Sequence, residues 1–423
     1  MSTTRPIFAR RLRPLILLFT AGCAASGASS VITKGSPGFD EKVAELATNK
    51  GAVLSTDAER QIEPVALFYG PMPTGIAVSK SGRVFVNFPR WGDPVDNTAA
   101  EIVDGKLVPF PDAIINKLDK DHPATTLVSV QSVVCDTKDR LWILDTGSID
   151  FNPILPGGPK LIAVDLATNR IVQTISFPPD VALPTSYMND VRFDLKRGSA
   201  GTAYLTDSSV DGPNGLVVVD LATGQSWRRL SDHPSTKAEK IVTTCEGRPL
   251  LSKGKNPNVG SDGIAVTPDG KSVYYCPMIG HHLYRVSANA LADRTKSDAD
   301  VAATVKDLGD RGFGSDGLEC GPDGTLYLTD YEHGAIRRRK ADGTYAVLCS
   351  DSRILWPDSM AFGGTFGVGS GPMSDFQMNW YGTLYFTSNQ LERQSNYHDG
   401  HDNRKAPYAL FAVNTDWTTV SHR

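Results

Sequence analysis

A basic excess is missing from this chain: 43 Lys and Arg face 47 Asp and Glu, for a formal charge of −4. Without surplus cations to neutralise phosphates, nucleic acid is excluded as a partner. Long apolar runs are also lacking: after the first 22 residues nothing approaches the ~20 apolar residues of a membrane span. Cysteine is scarce, six in 423 residues, and none stands in a C-x-x-C arrangement, which argues against a structural zinc site. Helical periodicity is nearly absent, apart from residues 41–48. What is present is 40% hydrophobic residues, enough for a sizeable core, with 39 glycines and 27 prolines spread without a collagen period. The length suggests two or three domains unless the fold is a large ring or repeat.

The first residues read as a targeting segment. Arg5, Arg10, Arg11 and Arg13 precede Leu15-Ile16-Leu17-Leu18-Phe19, then Thr20-Ala21-Gly22-Cys23. A basic start, a short apolar core and small residues before a cysteine resemble a bacterial lipoprotein signal, with Thr20 where such signals usually carry Leu. The expectation is an exported chain in the periplasm or cell envelope, tethered to the membrane only through a lipid at Cys23. Cleavage by the general signal peptidase, giving a secreted form, is the alternative. Without residues 1–22 the balance becomes 39 basic against 47 acidic groups, or −8. Cys135, Cys245, Cys276, Cys320 and Cys349 then remain. An odd number cannot all pair, and buried free thiols are the simpler expectation.

A repeat runs through the rest. Its clearest copies are Ser261-Asp262-Gly263-Ile264-Ala265-Val266, turning at Pro268-Asp269-Gly270, and Ser315-Asp316-Gly317-Leu318-Glu319, turning at Pro322-Asp323-Gly324. Each is a polar anchor, an apolar run, a turn with a mechanism, and a second apolar run. Weaker copies begin at Thr74, Gln131, Asp190 and Asp358, so six anchors recur at a mean spacing of about 57 residues. Four short strands with turns need roughly 40–50 residues, which is one propeller blade. The fold class is therefore all-β: a six-bladed β-propeller, with a β-sandwich pair as the distant alternative. Residues 64–68 are expected to join the C-terminal strand 408–413 and close the ring. The division is a signal at 1–22, a tether with a short helix at 23–61, the propeller at 62–416 and a tail at 417–423.

The anchors should rim one mouth of the central channel. Carboxylates converging there repel one another unless a cation or protons compensate. Hard oxygen donors suit calcium or magnesium, so Asn189, Asp262 and Asp316, with Asp358, form a candidate metal set. Strand capping by each Asp is the bland reading. A second group, Phe88, Arg90, Trp91, Tyr187, Tyr331, Glu332, His333 and Trp356, flanks the repeat strands on loops. Such aromatics with Arg and Glu suit a flat or amine-bearing ligand, against packing between blades for Trp91 and Trp356. Tyr331, Glu332 and His333 are expected to be exposed. His281-His282 reads as a hairpin turn, residues 396–402 as a solvated loop, and Asp145, Asp207 and Asp330 as turn formers.

The strings Gly82-Arg83-Val84-Phe85-Val86 through Pro89-Arg90-Trp91, Leu141-Trp142-Ile143-Leu144-Asp145-Thr146-Gly147 and Tyr187-Met188-Asn189-Asp190-Val191 resemble the yellow / major royal jelly protein family. The likeness is strongest to its bacterial branch described as L-dopachrome tautomerase-related, and it covers residues 64–413. It implies a secreted six-bladed propeller, with dopachrome conversion in some members and amine or sterol binding in others. More distantly, Asn189-Asp190, Ser261-Asp262-Gly263 and Ser315-Asp316-Gly317 resemble the metal-ligand segments of gluconolactonase and regucalcin-like propellers. This chain departs from those enzymes in having Thr74 where they carry a glutamate, and Asp262 where they carry an asparagine.

Three functions follow as expectations. The first is binding, with isomerisation, of a small aromatic or amine-bearing compound at the channel mouth, with Glu332, His333 or an anchor Asp as general base. The second is a divalent-metal-dependent lactone hydrolase in which Asp262 or Asp316 shuttles the proton. The third is a non-catalytic interaction propeller.

Overall fold

The computed structural model describes residues 30–49, 57–363 and 382–415, with residues 1 and 51. Cys23, the rest of the signal segment, the glycine-rich stretch 364–371 and the tail 417–423 lie outside the described residues.

Five of the anchors open a four-stranded antiparallel sheet whose strands follow one another in sequence, and the sixth, Asp358, opens a sheet completed by N-terminal strands. In the second blade Val130–Cys135 pairs with Arg140–Asp145, then Lys160–Asp165, then Arg170–Ser176. The other innermost strands are Ile76–Val78, Met188–Asp194, Ser261–Val266, Leu318–Cys320 and Pro357–Gly363, and neighbours touch around a ring. Closure occurs as the sequence implies: Ile62–Phe68 pairs with Tyr408–Asn414 in the sixth blade, so no edge is left between first and last. Val31–Thr33, assigned to the tether, adds a fifth strand beside Ile62–Phe68. The short helix spans Phe39–Leu46 and buries Phe39 and Leu46 against the last two blades.

Alternating apolar residues place the core in wedges between adjacent blades rather than in one centre. Trp142, Leu144 and Leu161 meet Val191, Leu205 and Val217 between blades two and three. Tyr204 and Val218 meet Val273 and Tyr275 between three and four. All five cysteines among the described residues are free; three are buried, and Cys135 and Cys320 are partly exposed.

Asp145, Asp207 and Asp330, expected as turn formers, do more than turn the chain. Each is buried at the end of a second strand and paired with a cation: Asp145 with Lys160 at 2.7 Å, Asp207 with Arg228 at 2.6 Å, Asp330 with Arg337 at 2.5 Å. Asp145 also accepts the backbone N–H groups of Val128 and Ser129, and Asp207 that of Tyr187. Asp145 and Asp207 therefore fix the chain that leads into the innermost strand of their own blade, while Asp330 holds His333 N in the turn that follows it.

Candidate channel-mouth site

Four innermost strands carry a β-bulge at the anchor. The register shifts between Val130 and Ser132, Met188 and Val191, Ser261 and Ile264, and Pro357 and Met360. A bulge leaves a residue unpaired and re-aims its side chain, and here the released residues include Gln131, Asn189, Asp190, Asp262 and Asp358. Threonines on the second strands take up the freed amides. Thr206 accepts from Asp190 N and donates to Asp262 O at 2.6 Å; Thr387 accepts from Ser359 N and donates to Thr74 O at 2.6 Å. Each stitch ties one blade to the next blade's anchor.

The anchor glycines have a steric reason. A Cβ on Gly263 would strike Asp316 O, and one on Gly317 would strike Asp358 O. The innermost strands thus approach closely only because the residue after Asp262 and Asp316 has no side chain.

Gln131, Asn189, Asp190, Asp262, Asp316 and Asp358 line one cavity of about 10 Å³ on the axis, room for roughly one water or ion. Asp190 is neutralised: Ser132 Oγ donates to it at 2.7 Å and Arg192 Nη1 at 2.8 Å. The other three carboxyls have no ion pair to Lys, Arg or His among the described residues. Asp262 and Asp316 hydrogen-bond each other, Ser208 Oγ donates to Asp262, Trp356 Nε1 donates to Asp316 Oδ2 at 2.6 Å, and Asn389 Nδ2 donates to Asp358 Oδ2 at 2.6 Å. Burial raises all three above the ordinary carboxylate range, Asp316 to about 6 and Asp262 and Asp358 well above it, with mutual repulsion adding to the latter two. Two buried carboxyls this close can share one proton, and burial favours that protonated form. Among the described residues no group of three or more His, Cys, Asp or Glu is placed to hold a metal ion.

Above the carboxyls sits an aromatic rim. Trp91 Nε1 donates to Tyr187 Oη at 2.8 Å, and that hydroxyl donates to Gln131 Oε1 at 3.1 Å. Phe151 stacks on Trp91 at 5.0 Å and lies 4.7 Å from Tyr187. Tyr397 is raised by burial and by the charges of Asp316, Cys245 and Asp262. Phe151 and Tyr397 were missed in the sequence, where the first lies in a loop without repeat pattern and the second in a polar stretch. His398, in the same stretch, bonds Arg248 and Asn403.

Several expected ligand residues turn out to be framework. Phe88 is 1% exposed and packs edge-on against Phe68. Arg90 spends its guanidinium on the carbonyls of Val128, Val95 and Asn116, tying down the loop that carries Trp91. Tyr331 is not exposed but buried, stacked on Trp356 at 4.2 Å and donating to Met278 O. Glu332 is likewise withdrawn: it accepts from Thr244 N and Gly314 N and meets His281 Nε2 at 2.6 Å. His333 remains half exposed but is bonded to Asp330, and neither it nor Glu332 lines the axial cavity. Thr74, at the position of the lactonase glutamate, is buried and accepts from Asn87 Nδ2. His282 opens a third strand and pairs with Asp307 rather than sitting in a turn.

The family model described as "Major royal jelly protein" matches residues 128–416. The chain belongs to that family. Among its members, this major royal jelly protein homologue is 27% identical to Protein yellow of Drosophila madeirensis over 54% of the chain and 41% of the relative. It is 26% identical to Major royal jelly protein 1 of Apis mellifera over 48% of each. The chain thus spans less than half the length of these curated relatives. A solved structure described as a putative gluconolactonase superposes with a TM-score of 0.50 at 12% identity, covering 91% of this chain and 97% of that one, a likeness of fold alone.

Proposed function

We propose that this yellow / major royal jelly homologue binds a small amine-bearing aromatic compound at the channel mouth. The observation that carries the reading is three buried carboxyls, Asp262, Asp316 and Asp358, with no cationic partner among the described residues. An ammonium group would supply the missing charge and hydrogen-bond donors together. Tyr187, Trp91 and Phe151 offer ring faces above it. The reading extends to export of the chain and a lipid tether at Cys23.

A pair sharing one proton also suits tautomerisation. The ionised member of Asp262–Asp316 removes a proton from a substrate carbon, and the protonated member delivers one to a second substrate atom; no net proton is gained or lost. L-Dopachrome, named by the family likeness, carries a carboxylate and no ammonium group, so its turnover tests the proton transfer separately from amine binding. Glu332 and His333 are not used, since both are committed elsewhere.

The test is calorimetric titration of tyramine into the full chain, followed by L-dopachrome turnover. Asp358→Asn and Asp316→Asn are expected to weaken tyramine binding at least about tenfold, the loss of one charge-assisted hydrogen bond. Unchanged affinity in both removes the site from consideration.

The lactone-hydrolase reading retains one supporting observation, an ion-sized cavity among hard oxygens. The carboxyls as placed fit a proton-sharing pair better than a ligand cage, so no step is routed through a metal. One equivalent of calcium or magnesium retained on dialysis, and lost in Asp262→Ala, would overturn that judgement and put lactones first.

A further inference from the structure

We propose that the opposite mouth of the channel is a second small-molecule site, for an uncharged and mostly apolar compound carrying one hydroxyl. The innermost strands all run outward from the carboxyls, and their far ends enclose a cavity of about 370 Å³, inside the ~300–1,000 Å³ range of small-molecule pockets. Val78, Val133, Phe193, Val266, Met360 and Phe362 form its apolar walls.

Arg192 separates this cavity from the carboxyl mouth. From blade three its guanidinium reaches across to Leu318 O in blade five at 2.8 Å, while Nη1 holds Asp190 and Nε lies 3.2 Å from Glu319 Oε2. The side chain is 8% exposed, and Nε is buried without an aligned hydrogen-bond acceptor. Glu319 lines the cavity beside it.

These facts select the guest. The floor is already balanced, Arg192 standing between Asp190 and Glu319, and the rim carboxylates are paired, Asp136 with Arg140 and Asp194 with Arg197. A guest charge buried at the floor would therefore lack a counterion, since Lys196, which also lines the cavity, is exposed and bonds Pro268 O. Glu319 accepts from Cys320 N and faces Arg192 Nε, and its side chain, 20% exposed, can accept one further hydrogen bond from a guest hydroxyl, which a hydrocarbon cannot supply.

Two thiols report on occupancy. Cys135 and Cys320 line this cavity and are partly exposed, whereas Cys245, Cys276 and Cys349 are buried elsewhere. The experiment is calorimetric titration of 4-ethylphenol into the full chain, with ethylbenzene and 4-ethylbenzoate as matched probes lacking the hydroxyl or carrying a charge. Saturable binding of the phenol is expected, with both analogues at least about tenfold weaker. Filling the cavity by Val134→Phe or Ala361→Phe should abolish it. Should neither variant fold, slowing of iodoacetamide labelling at Cys135 and Cys320 by the phenol in the unaltered chain carries the test. Absence of saturable heat, undiminished binding in a folded filled variant, or unaltered labelling of both thiols would each overturn the proposal.

Discussion

The indole N–H of Trp356 donates to Asp316 Oδ2 at 2.6 Å while its ring stacks on Tyr331 at 4.2 Å. The tryptophan adopts φ of +53°, a left-handed backbone that a bulky residue takes only when its surroundings impose it. Stacking sets the ring and the strained backbone aims its nitrogen, so Trp356 positions a carboxylate rather than meeting ligand.

Replacing Trp356 by Phe removes that donor and drives Asp316 above its value of about 6. The sign follows from linkage. A carboxyl raised from 3.8 in the folded state keeps a proton that the unfolded chain releases, so stability declines as pH rises from about 4 through the folded value. The variant should lose on the order of 1–3 kcal/mol at pH 7.5 and visibly less at pH 4.5. Urea denaturation at the two pH values decides; an equal loss at both would mean that only packing was removed.

The His281–Glu332 pair makes a two-sided pH dependence. The bond to Glu332 raises His281, so its contribution is complete below pH 6.5 and is lost as pH rises through the folded value. Glu332 is held below its ordinary 4.5 by His281 and the amides of Thr244 and Gly314, overcoming the effect of burial, so its contribution is present above 4.5 and lost in acid. The pair is strongest between about pH 4.5 and 6.5. Glu332→Gln should cost about 1 kcal/mol there and less at pH 8.5, read as a thermal midpoint across pH. A loss that grows toward pH 8.5 would contradict the assignment.

Lys160 is fully buried, its ammonium donating to Asp145, Pro123 O and Gly158 O. Lys160→Met leaves Asp145 buried without its counterion, which costs roughly 3–5 kcal/mol. Adding Asp145→Asn should recover part of that loss, because the uncompensated charge disappears. No recovery in the double variant would show that packing, and not charge, sets the penalty.

Six anchors recurring at a mean of about 57 residues made the ring and its closure legible, because a propeller repeats its sequence wherever it repeats its geometry. The anchors Asp190, Asp262, Asp316 and Asp358 were legible for the same reason. Their neighbours were not. Arg90 and Tyr331 carry ligand-like chemistry, but whether a guanidinium or phenol faces a channel or a carbonyl depends on loops whose path no period encodes. Phe151 reaches Trp91 and Tyr187 from a long loop between strands. The bulges at Gln131, Asp190, Asp262 and Asp358 were hidden because an extra residue in one strand leaves the apolar alternation on either side intact.

The two glycines of blade five separate two structural demands. Gly324 takes φ of +85° in a turn with open space around it, so Gly324→Ala should cost only the left-handed penalty of about 1–2 kcal/mol and leave the mouth unchanged. Gly317 has an ordinary backbone, yet its Cβ would meet the carbonyl of Asp358 on the next blade. Backbone cannot rotate away, so Gly317→Ala must push the fifth and sixth blades apart where Asp316 and Asp358 converge. A similar or larger loss of stability, about 1–3 kcal/mol, should come with weakened tyramine binding, which Gly324→Ala should not show. Calorimetric titration of both variants, each checked for a cooperative thermal transition, makes the comparison. Equal tyramine affinity in the two would mean that the close approach of the innermost strands does not hold the carboxyls in place.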